Sequence, residues 1–343
     1  MPVLQNLENI MKILVLFVGG YYVIKHDFTI GELTAFIAYA GLLTLPITGL
    51  GWVTTIIQQG IVGLESIETI IKQETKDSDI KDLPEDQFKK LKSKGIKIKN
   101  FSFSYPDSDA PILKNINLEI KQGQTIGILG KIGSGKTTLV NCINRYLEIE
   151  PNRIFWGDHD LSKMAFGDVR KLIRTVSQDN FLFSDTVKEN IGFGCDNEAG
   201  IKKDTLEKAI IDSALKDEIQ RFPNNIDTIV GEKGIMLSGG QKQRISLARA
   251  LIEPCELLIL DNVLSAVDYE TERFLLKTIH NNKNCKSLLI VSHRVQALEK
   301  ADNILVLEDG LVIDQGTHLE LINRPGHYQE THFLQNSKDE KTN

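Results

Sequence analysis

The sequence is poor in cysteine and lacks the residue spacings that hold metal ions. Its four cysteines lie far apart along 343 residues, and no pair has the separation of a zinc or redox motif. We therefore expect reduced thiols, as in cytosolic proteins. The seven histidines form no H-E-x-x-H pattern, so we expect no zinc site made by the protein. The net charge of -6 shows no basic excess, which argues against nucleic acid as a partner.

Charge is absent from one long segment, Leu33 to Ile57. As a helix this segment would be about 37 Å long, against a membrane hydrocarbon core of about 30 Å, so it is long enough to cross with some tilt. Pro46 predicts a kink within it. A buried core helix is the alternative, although helices of soluble proteins rarely run this long without a charge.

A shorter apolar segment comes first, and no signal-peptide cleavage site follows it. We therefore predict a partial transmembrane domain over residues 1–71, with two helices at about 10–25 and 33–57 and an outer turn at Lys25 to Glu32. Lysines are denser after Ile71 than in that turn, which places both termini in the cytoplasm. The expected location is the cell membrane, with lipid around the helices.

The remaining chain has the pattern of an α/β domain. Residues 72–94 are rich in Lys, Asp and Glu and predict a solvated linker. Strand and helix patterns then alternate over residues 95–330, which indicates helices packed on a mainly parallel sheet. Residues 331–343 form a polar tail that we expect to be frayed.

A phosphate-binding loop is indicated by "GKIGSGKT" from Gly130 to Thr137, which fits G-x-x-x-x-G-K-[ST] between a strand pattern and a helix pattern. Its glycines let backbone amides turn toward phosphate oxygens, and the following helix adds its positive end. Lys136 is expected on the β- and γ-phosphates, and the Thr137 hydroxyl on magnesium. The predicted ATP-binding residues of this loop are Gly130, Lys131, Ile132, Gly133, Ser134, Gly135, Lys136, Thr137 and Thr138.

Two further segments complete a nucleotide site. Asp261 ends the apolar run "LLILD", where a carboxylate holds magnesium, although an isolated aspartate there could equally cap a helix. "LSGGQ" contains Ser238, Gly239, Gly240 and Gln241 and opens a helical pattern, so it offers a second phosphate-binding helix start. An ordinary capped basic helix is the alternative for that segment.

These motifs in this order resemble the nucleotide-binding domain of an exporter-type ABC transporter, over about Gly95 to Arg324. The resemblance implies a P-loop NTPase domain with a helical subdomain, ATP and Mg²⁺ as cofactors, and head-to-tail pairing of two such domains around the nucleotide. It implies that Tyr105 stacks on adenine and that Gln178 binds magnesium and faces the membrane domain. His293 corresponds to the switch histidine that contacts the γ-phosphate.

The resemblance extends to the rest of the chain. Glu232 matches a loop that touches the membrane domain, and Ser265 to Asp268 match a loop that signals across the dimer. The apolar helices match the last two of six in an exporter half, so we expect an N-terminally truncated half-transporter. A second half would be the partner, and a small molecule or lipid-like compound the substrate.

Asn262 departs from the family pattern. The resemblance implies that a carboxylate after Asp261 polarises the attacking water, and an amide cannot accept its proton. Losing a positioned base costs about 10²–10⁴-fold in rate. With an intact signature, the chain resembles the degenerate-site subunit of heterodimeric multidrug or lipid exporters. A homodimer is the alternative to a heterodimer. Because His293 is present, some residual hydrolysis by the chain's own site is compatible with the sequence.

Three other functions remain alternatives. The chain would be an ATP-gated regulatory or interaction subunit if no pair containing it transports. It would be an inactive remnant if the missing helices are lost altogether. A soluble ABC-type ATPase of DNA repair or translation is disfavoured by the uncharged segment from Leu33 to Ile57.

Overall fold

The structure is a computed structural model that describes residues 2–72, 80–106, 108, 110–195, 201–231, 237–263, 269–282 and 284–339. For residues 2–8, 43–45, 47, 48, 269, 338 and 339 it describes the backbone alone. The chain divides into two units, Met1–Lys76 and Asp77–Asn343.

The first unit is a pair of helices, α1 (Pro2–Ile24) and α2 (Ile30–Ile71). Thr29 begins the second helix with a capping box. The N–H of Glu32 donates to Thr29 Oγ1 at 3.2 Å, and the N–H of Thr29 donates to the Glu32 carboxylate at 2.8 Å. Both helices are longer than the sequence predicts, and α2 continues through Pro46.

The large apolar side chains of this unit are mostly exposed, as at Phe17 (79%) and Trp52 (72%). Within the part of the chain that the structure describes, no helix has an apolar stretch of the length needed to cross a membrane. The two transmembrane helices therefore stay a prediction.

The second unit contains two sheets among its described residues. Its strands are β1 (Ile96–Phe103), β2 (Leu113–Ile120), β3 (Thr125–Gly130), β4 (Ile154–Trp156), β5 (His159–Asp160), β6 (Ile173–Val176), β7 (Cys255–Asp261), β8 (Cys285–Ser292), β9 (Asn303–Glu308) and β10 (Leu311–Gly316). One sheet is antiparallel, in the order β2-β1-β4-β5. The other has the order β10-β9-β3-β8-β7-β6, and only the β10–β9 pair in it is antiparallel.

Helices surround these sheets. They are α3 (Glu85–Leu91), α4 (Lys136–Ile143), α5 (Phe166–Leu172), α6 (Val187–Gly192), α7 (Lys203–Asp212), α8 (Lys216–Ile219), α9 (Gly239–Leu251), α10 (Tyr269–His280), α11 (His318–Ile322) and α12 (His327–Asp339). Every residue of β3 and β7 is buried, as expected for parallel strands covered on both faces. The predicted α/β architecture is confirmed.

Apolar side chains collect in three clusters that explain the layout. The first joins the antiparallel sheet, the helix α4 and one face of the parallel sheet. The second packs α9 and α10 on the opposite face. The third is a smaller helical core around α6, α7 and α9. Because the parallel strands all end at one edge, the loops that follow β3, β6, β7 and β8 meet there.

Ordered helices occupy parts of the predicted linker and tail. Residues 73–79 lie outside the described range, but α3 follows them, with Leu91 buried and its carbonyl accepting from Trp156 Nε1 at 2.9 Å. At the other end, α12 continues from His327 to Asp339 through most of the predicted tail. The domain boundaries stay predictions.

Candidate functional site

The loop after β3 is shaped to leave room for phosphate groups. A Cβ atom on Gly130 would lie 2.3 Å from the Leu307 carbonyl oxygen, so only glycine fits there. Gly133 has φ +84 and open space where a side chain would be. In the same loop Lys131 and Ile132 are exposed, whereas Ser134, Gly135 and Thr138 are buried. The open glycine at the loop tip gives phosphate oxygens access to the backbone.

Lys136 is the first residue of α4, and its ammonium lies across the loop. It donates to the carbonyl oxygens of Gly130 at 2.8 Å and Lys131 at 2.6 Å. Burial lowers the pKa of Lys136, and the Asp261 carboxylate opposes that shift. The ammonium is thus a partly buried cation held by neutral carbonyls, and phosphate oxygens are stronger partners for it.

Asp261 ends β7 and is 2% exposed. Thr137, the other predicted magnesium ligand, lies close enough to lower the pKa of this carboxyl. Burial and the charge of Asp179 raise the pKa of the Asp261 carboxyl. Thr137 and Lys136 lower that pKa. A buried carboxylate beside a hydroxyl is an oxygen donor set of the kind that Mg²⁺ prefers, and the cation would relieve the desolvation of the carboxylate. The residues therefore fit magnesium.

Gln178 reaches the same edge from β6. That strand pairs in parallel with β7, with Val176 opposite Leu260, which places Gln178 beside the end of β7. The Gln178 side chain is exposed. Its neighbour Asp179 was not anticipated from the sequence, although its charge acts on Asp261. The sequence signal for it is only its position after the same strand.

Asn262 and His293 form a pair at this edge. Asn262 Oδ1 lies 2.9 Å from His293 Nδ1, and the Asn262 N–H donates to the Val291 carbonyl at 2.9 Å. Asn262 has φ +54, a left-handed conformation that asparagine adopts more readily than most residues. Burial, Arg294 and Lys136 lower the pKa of His293, which favours the neutral ring. In the tautomer that carries its proton on Nδ1, the ring donates to the amide oxygen.

Two contacts around this edge involve residues at its margins. The Tyr105 hydroxyl lies 3.3 Å from Thr138 Oγ1, and its ring meets Phe103 edge-on at 5.3 Å between centroids. The half-buried Tyr105 therefore lies next to the start of α4, where a base bound to the loop would be. On the other side, Gln335 of α12 donates to the His293 carbonyl at 2.8 Å, a contact that nothing in the sequence indicates.

The signature forms a capped helix start. The N–H of Gln241 donates to Ser238 Oγ at 3.2 Å, and the N–H of Ser238 donates to Gln241 Oε1 at 2.9 Å. Gly239 has open space where a side chain would be. The helix α9 contacts α6, α7 and β6. Ser238 to Gln241 are thus displayed on the helical core. Glu232 and Ser265 to Asp268 lie outside the described residues.

These features define a P-loop nucleotide-binding domain with an added helical core. Residues 113–265 match the ABC transporter family. The "Probable multidrug resistance ABC transporter ATP-binding/permease protein YheI" of Bacillus subtilis (strain 168) is 37% identical over 339 residues, which cover 97% of this chain and 56% of the relative. The "ATP-dependent lipid A-core flippase" of Escherichia coli (strain K12) is 32% identical over 334 residues, again 97% and 56%.

A solved structure agrees with these sequence matches. The structure of a bacterial Atm1-family ABC exporter with ATP bound superposes with a TM-score of 0.72 at 30% identity, over 90% of this chain and 53% of that one. The chain spans about half the length of the curated relatives it matches. Residues 113–265 thus match an ABC transporter ATPase domain, and almost the whole chain is similar to ABC transporter proteins.

Proposed function

We propose that the chain is an ATP-binding subunit of an ABC exporter that binds Mg-ATP between two head-to-tail nucleotide-binding domains. Lys136 would move from the loop carbonyls to the phosphates, and Thr137 and Asp261 would hold the magnesium ion, which neutralises phosphate charge when bound. Tyr105 supports the adenine end, since its ring lies near the start of α4. The buried Asp261 carboxylate at the end of β7, with Lys136 and Thr137 near enough to lower its pKa, is the observation that supports this arrangement.

We infer that the chain takes part in export at a membrane, since its relatives are named a permease protein and a lipid A-core flippase and the similar solved structure is named an ABC exporter. The exposed apolar side chains of α1 and α2 favour apolar surroundings, supplied by lipid or by further helices of an exporter. A cell-membrane location with the ATPase domain in the cytoplasm follows. The substrate would be a small molecule or a lipid-like compound.

We infer that the chain's own site hydrolyses ATP slowly. Asn262 holds the position next to Asp261, and its amide oxygen is engaged by His293 at 2.9 Å. No proton acceptor is supplied by that amide. The signature from Ser238 to Gln241 keeps its capped geometry. A heterodimer is therefore favoured, in which this chain supplies Ser238 to Gln241 to the site of a second half that carries its own base.

Equilibrium binding of Mg-ATP to the purified full chain tests the proposed nucleotide site. Lys136→Ala should abolish measurable binding, because it removes the ammonium that meets the phosphates. Lys97→Ala is the matched control, since this exposed lysine of β1 pairs with Glu119 at 3.2 Å and is not among the predicted nucleotide-binding residues. Equal loss in both variants, or retained binding in Lys136→Ala, would contradict the proposed nucleotide site.

ATP turnover tests the proposed slow site and the proposed heterodimer. The chain alone should hydrolyse ATP slowly, and mixing it with a second half that has glutamate after its Asp should give a fast site. That fast rate should fall when Ser238 of this chain is replaced by alanine. Full-rate turnover by this chain alone would refute the heterodimer and leave the nucleotide site standing.

A further inference from the structure

Three side chains with metal-binding chemistry meet near the carboxyl-terminal end of the described chain. Glu299, His318 and His332 each offer one ligand atom, and these atoms all lie within 4.8 Å of one another. They come from three separate pieces of structure: the residue after a 3-10 turn at Gln296–Leu298, the start of α11, and the middle of α12. The fold, rather than any local motif, brings them together.

His318 is held in the orientation that metal-bound histidines commonly have. Its Nδ1 lies 2.8 Å from the hydroxyl of Tyr328, which is fully buried. A neutral His318 that binds a cation through Nε2 carries its proton on Nδ1 and donates it to the Tyr328 oxygen. Such an outer hydrogen bond fixes the tautomer and the direction of the ring.

His332 supplies an independent indication of a ligand. Its Nδ1 atom is buried and has no hydrogen-bond partner among the described residues. Its other nitrogen, Nε2, lies 3.1 Å from Asn336 Nδ2. Rotating the Asn336 amide by 180° lets its oxygen accept from Nε2–H, and Nδ1 then keeps the lone pair that a cation needs. Buried polar atoms are nearly always paired, so an unpaired ring nitrogen beside a second histidine and a carboxylate calls for an explanation. A bound cation would satisfy it.

We propose that Glu299, His318 and His332 bind a divalent transition-metal ion of the Zn²⁺ class, with water as the fourth ligand. Two imidazoles and one carboxylate suit zinc, whereas Mg²⁺ and Ca²⁺ take oxygen ligands. Ligands at about 2.0–2.2 Å from a tetrahedral zinc ion lie about 3.4 Å apart. The observed limit of 4.8 Å therefore requires side-chain movements of about an ångström to close the site.

The metal site would fasten α12 to the segment that follows His293. Gln335 lies one turn from His332 on the same helix and already holds that segment. Its Oε1 accepts from the Val295 N–H at 2.9 Å, and its Nε2 donates to the His293 carbonyl at 2.8 Å. Glu299 belongs to the same segment. A metal bound here would therefore order the backbone of a residue at the nucleotide edge without touching the nucleotide.

Zinc titration of the purified full chain, without nucleotide and against a chromogenic chelator, tests the site. We expect one zinc ion per chain. His318→Gln and Glu299→Gln should weaken zinc binding at least about 100-fold, and Tyr328→Phe, which removes only the outer hydrogen bond, about 10-fold. His327→Gln is the matched control, because it changes a histidine of the same helix that lies outside the cluster. It should bind like the unaltered chain.

Zinc bound by cysteine thiols is the competing explanation for any zinc that the chain retains. Cys255 and Cys285 lie opposite each other on β7 and β8, with their sulfur atoms 3.5 Å apart. Loss of zinc in a Cys255→Ser, Cys285→Ser chain, with binding kept in Glu299→Gln, would overturn the proposed site. Melting curves with and without zinc serve as the folding control. Zinc should raise the melting temperature of the unaltered chain and of the double serine variant, but not of Glu299→Gln. Absence of saturable zinc binding would likewise overturn it.

Discussion

Replacing Asn262 by glutamate should turn a slow ATPase site into a fast one. A carboxylate at this position accepts a proton from water, which an amide cannot do. A positioned general base contributes about 10²–10⁴-fold in rate, or about 2.7–5.4 kcal/mol of barrier at 1.36 kcal/mol per factor of ten. Mg-ATP affinity should change little, since Lys136, Thr137 and Asp261 are untouched.

The same substitution should make the fold less stable. Asn262 has φ +54, and its N–H is tied to the Val291 carbonyl at 2.9 Å, so the backbone cannot easily leave the left-handed region. Residues other than glycine, asparagine and aspartate cost about 1–2 kcal/mol there. At about 2–4 °C per kcal/mol for a domain of this size, the melting temperature should fall by roughly 2–8 °C. Activity and stability should therefore move in opposite directions.

The assay is single-turnover hydrolysis by the full chain at high concentration, where two copies supply both loop and signature. Asn262→Gln is the control for side-chain length without charge, and Asn262→Asp keeps a left-handed backbone while adding a carboxylate one methylene shorter. The double variant Lys136→Ala, Asn262→Glu gives the rate of hydrolysis without a working phosphate loop. The reasoning fails if the unaltered chain already turns over as fast as Asn262→Glu, or if glutamine accelerates hydrolysis equally.

Substitutions at three further residues test neighbouring parts of the site. Tyr105→Ala should weaken ATP binding by about 1–3 kcal/mol if the ring stacks on adenine, whereas Tyr105→Phe, which loses only the contact with Thr138, should bind nearly normally in the same fluorescence titration. Asp261→Asn should raise the melting temperature of the nucleotide-free chain at pH 7. Burial raises the pKa of this carboxyl, so its ionised form is unfavourable in the fold. The gain in melting temperature should therefore vanish as the pH falls to about 4. ATP binding by this variant should no longer depend on magnesium. Ser238→Ala should cost about 1 kcal/mol of stability through the lost cap, and Ser238→Asp, which restores a cap, should recover stability in thermal melts but not turnover with a partner half.

The phosphate loop was predictable because its requirements are local. A strand, a glycine-rich turn and a lysine at the helix start follow one another in sequence, and the structure places Gly130, Lys136 and Thr137 accordingly. The helix start at Ser238 was likewise visible, since a serine followed by glutamine three residues later is a capping box.

The contacts that were not predicted join residues far apart in the chain. Asn262 and His293 come from neighbouring strands, and Gln335 reaches His293 from a helix 42 positions away. The cluster of Glu299, His318 and His332 has no spacing that a motif describes, and the absence of an H-E-x-x-H pattern suggested no such site. The pairing of β7 with β8 and the packing of α11 and α12 determine these contacts, and the periodicity of side chains in the sequence does not indicate either of them.

The proposed site separates the energetics of nucleotide binding from those of hydrolysis. The ammonium of Lys136 lies on neutral carbonyls and the carboxylate of Asp261 is buried, so both charges are only partly compensated when no nucleotide is present. Mg-ATP would supply the missing opposite charge to each, and at 100 times its dissociation constant it would stabilise the fold by about 2.7 kcal/mol. That gain does not depend on Asn262, whose amide faces His293. If charge compensation supplies the energy of closing the proposed site, a chain without a base would still hold a nucleotide and present Ser238 to a partner half.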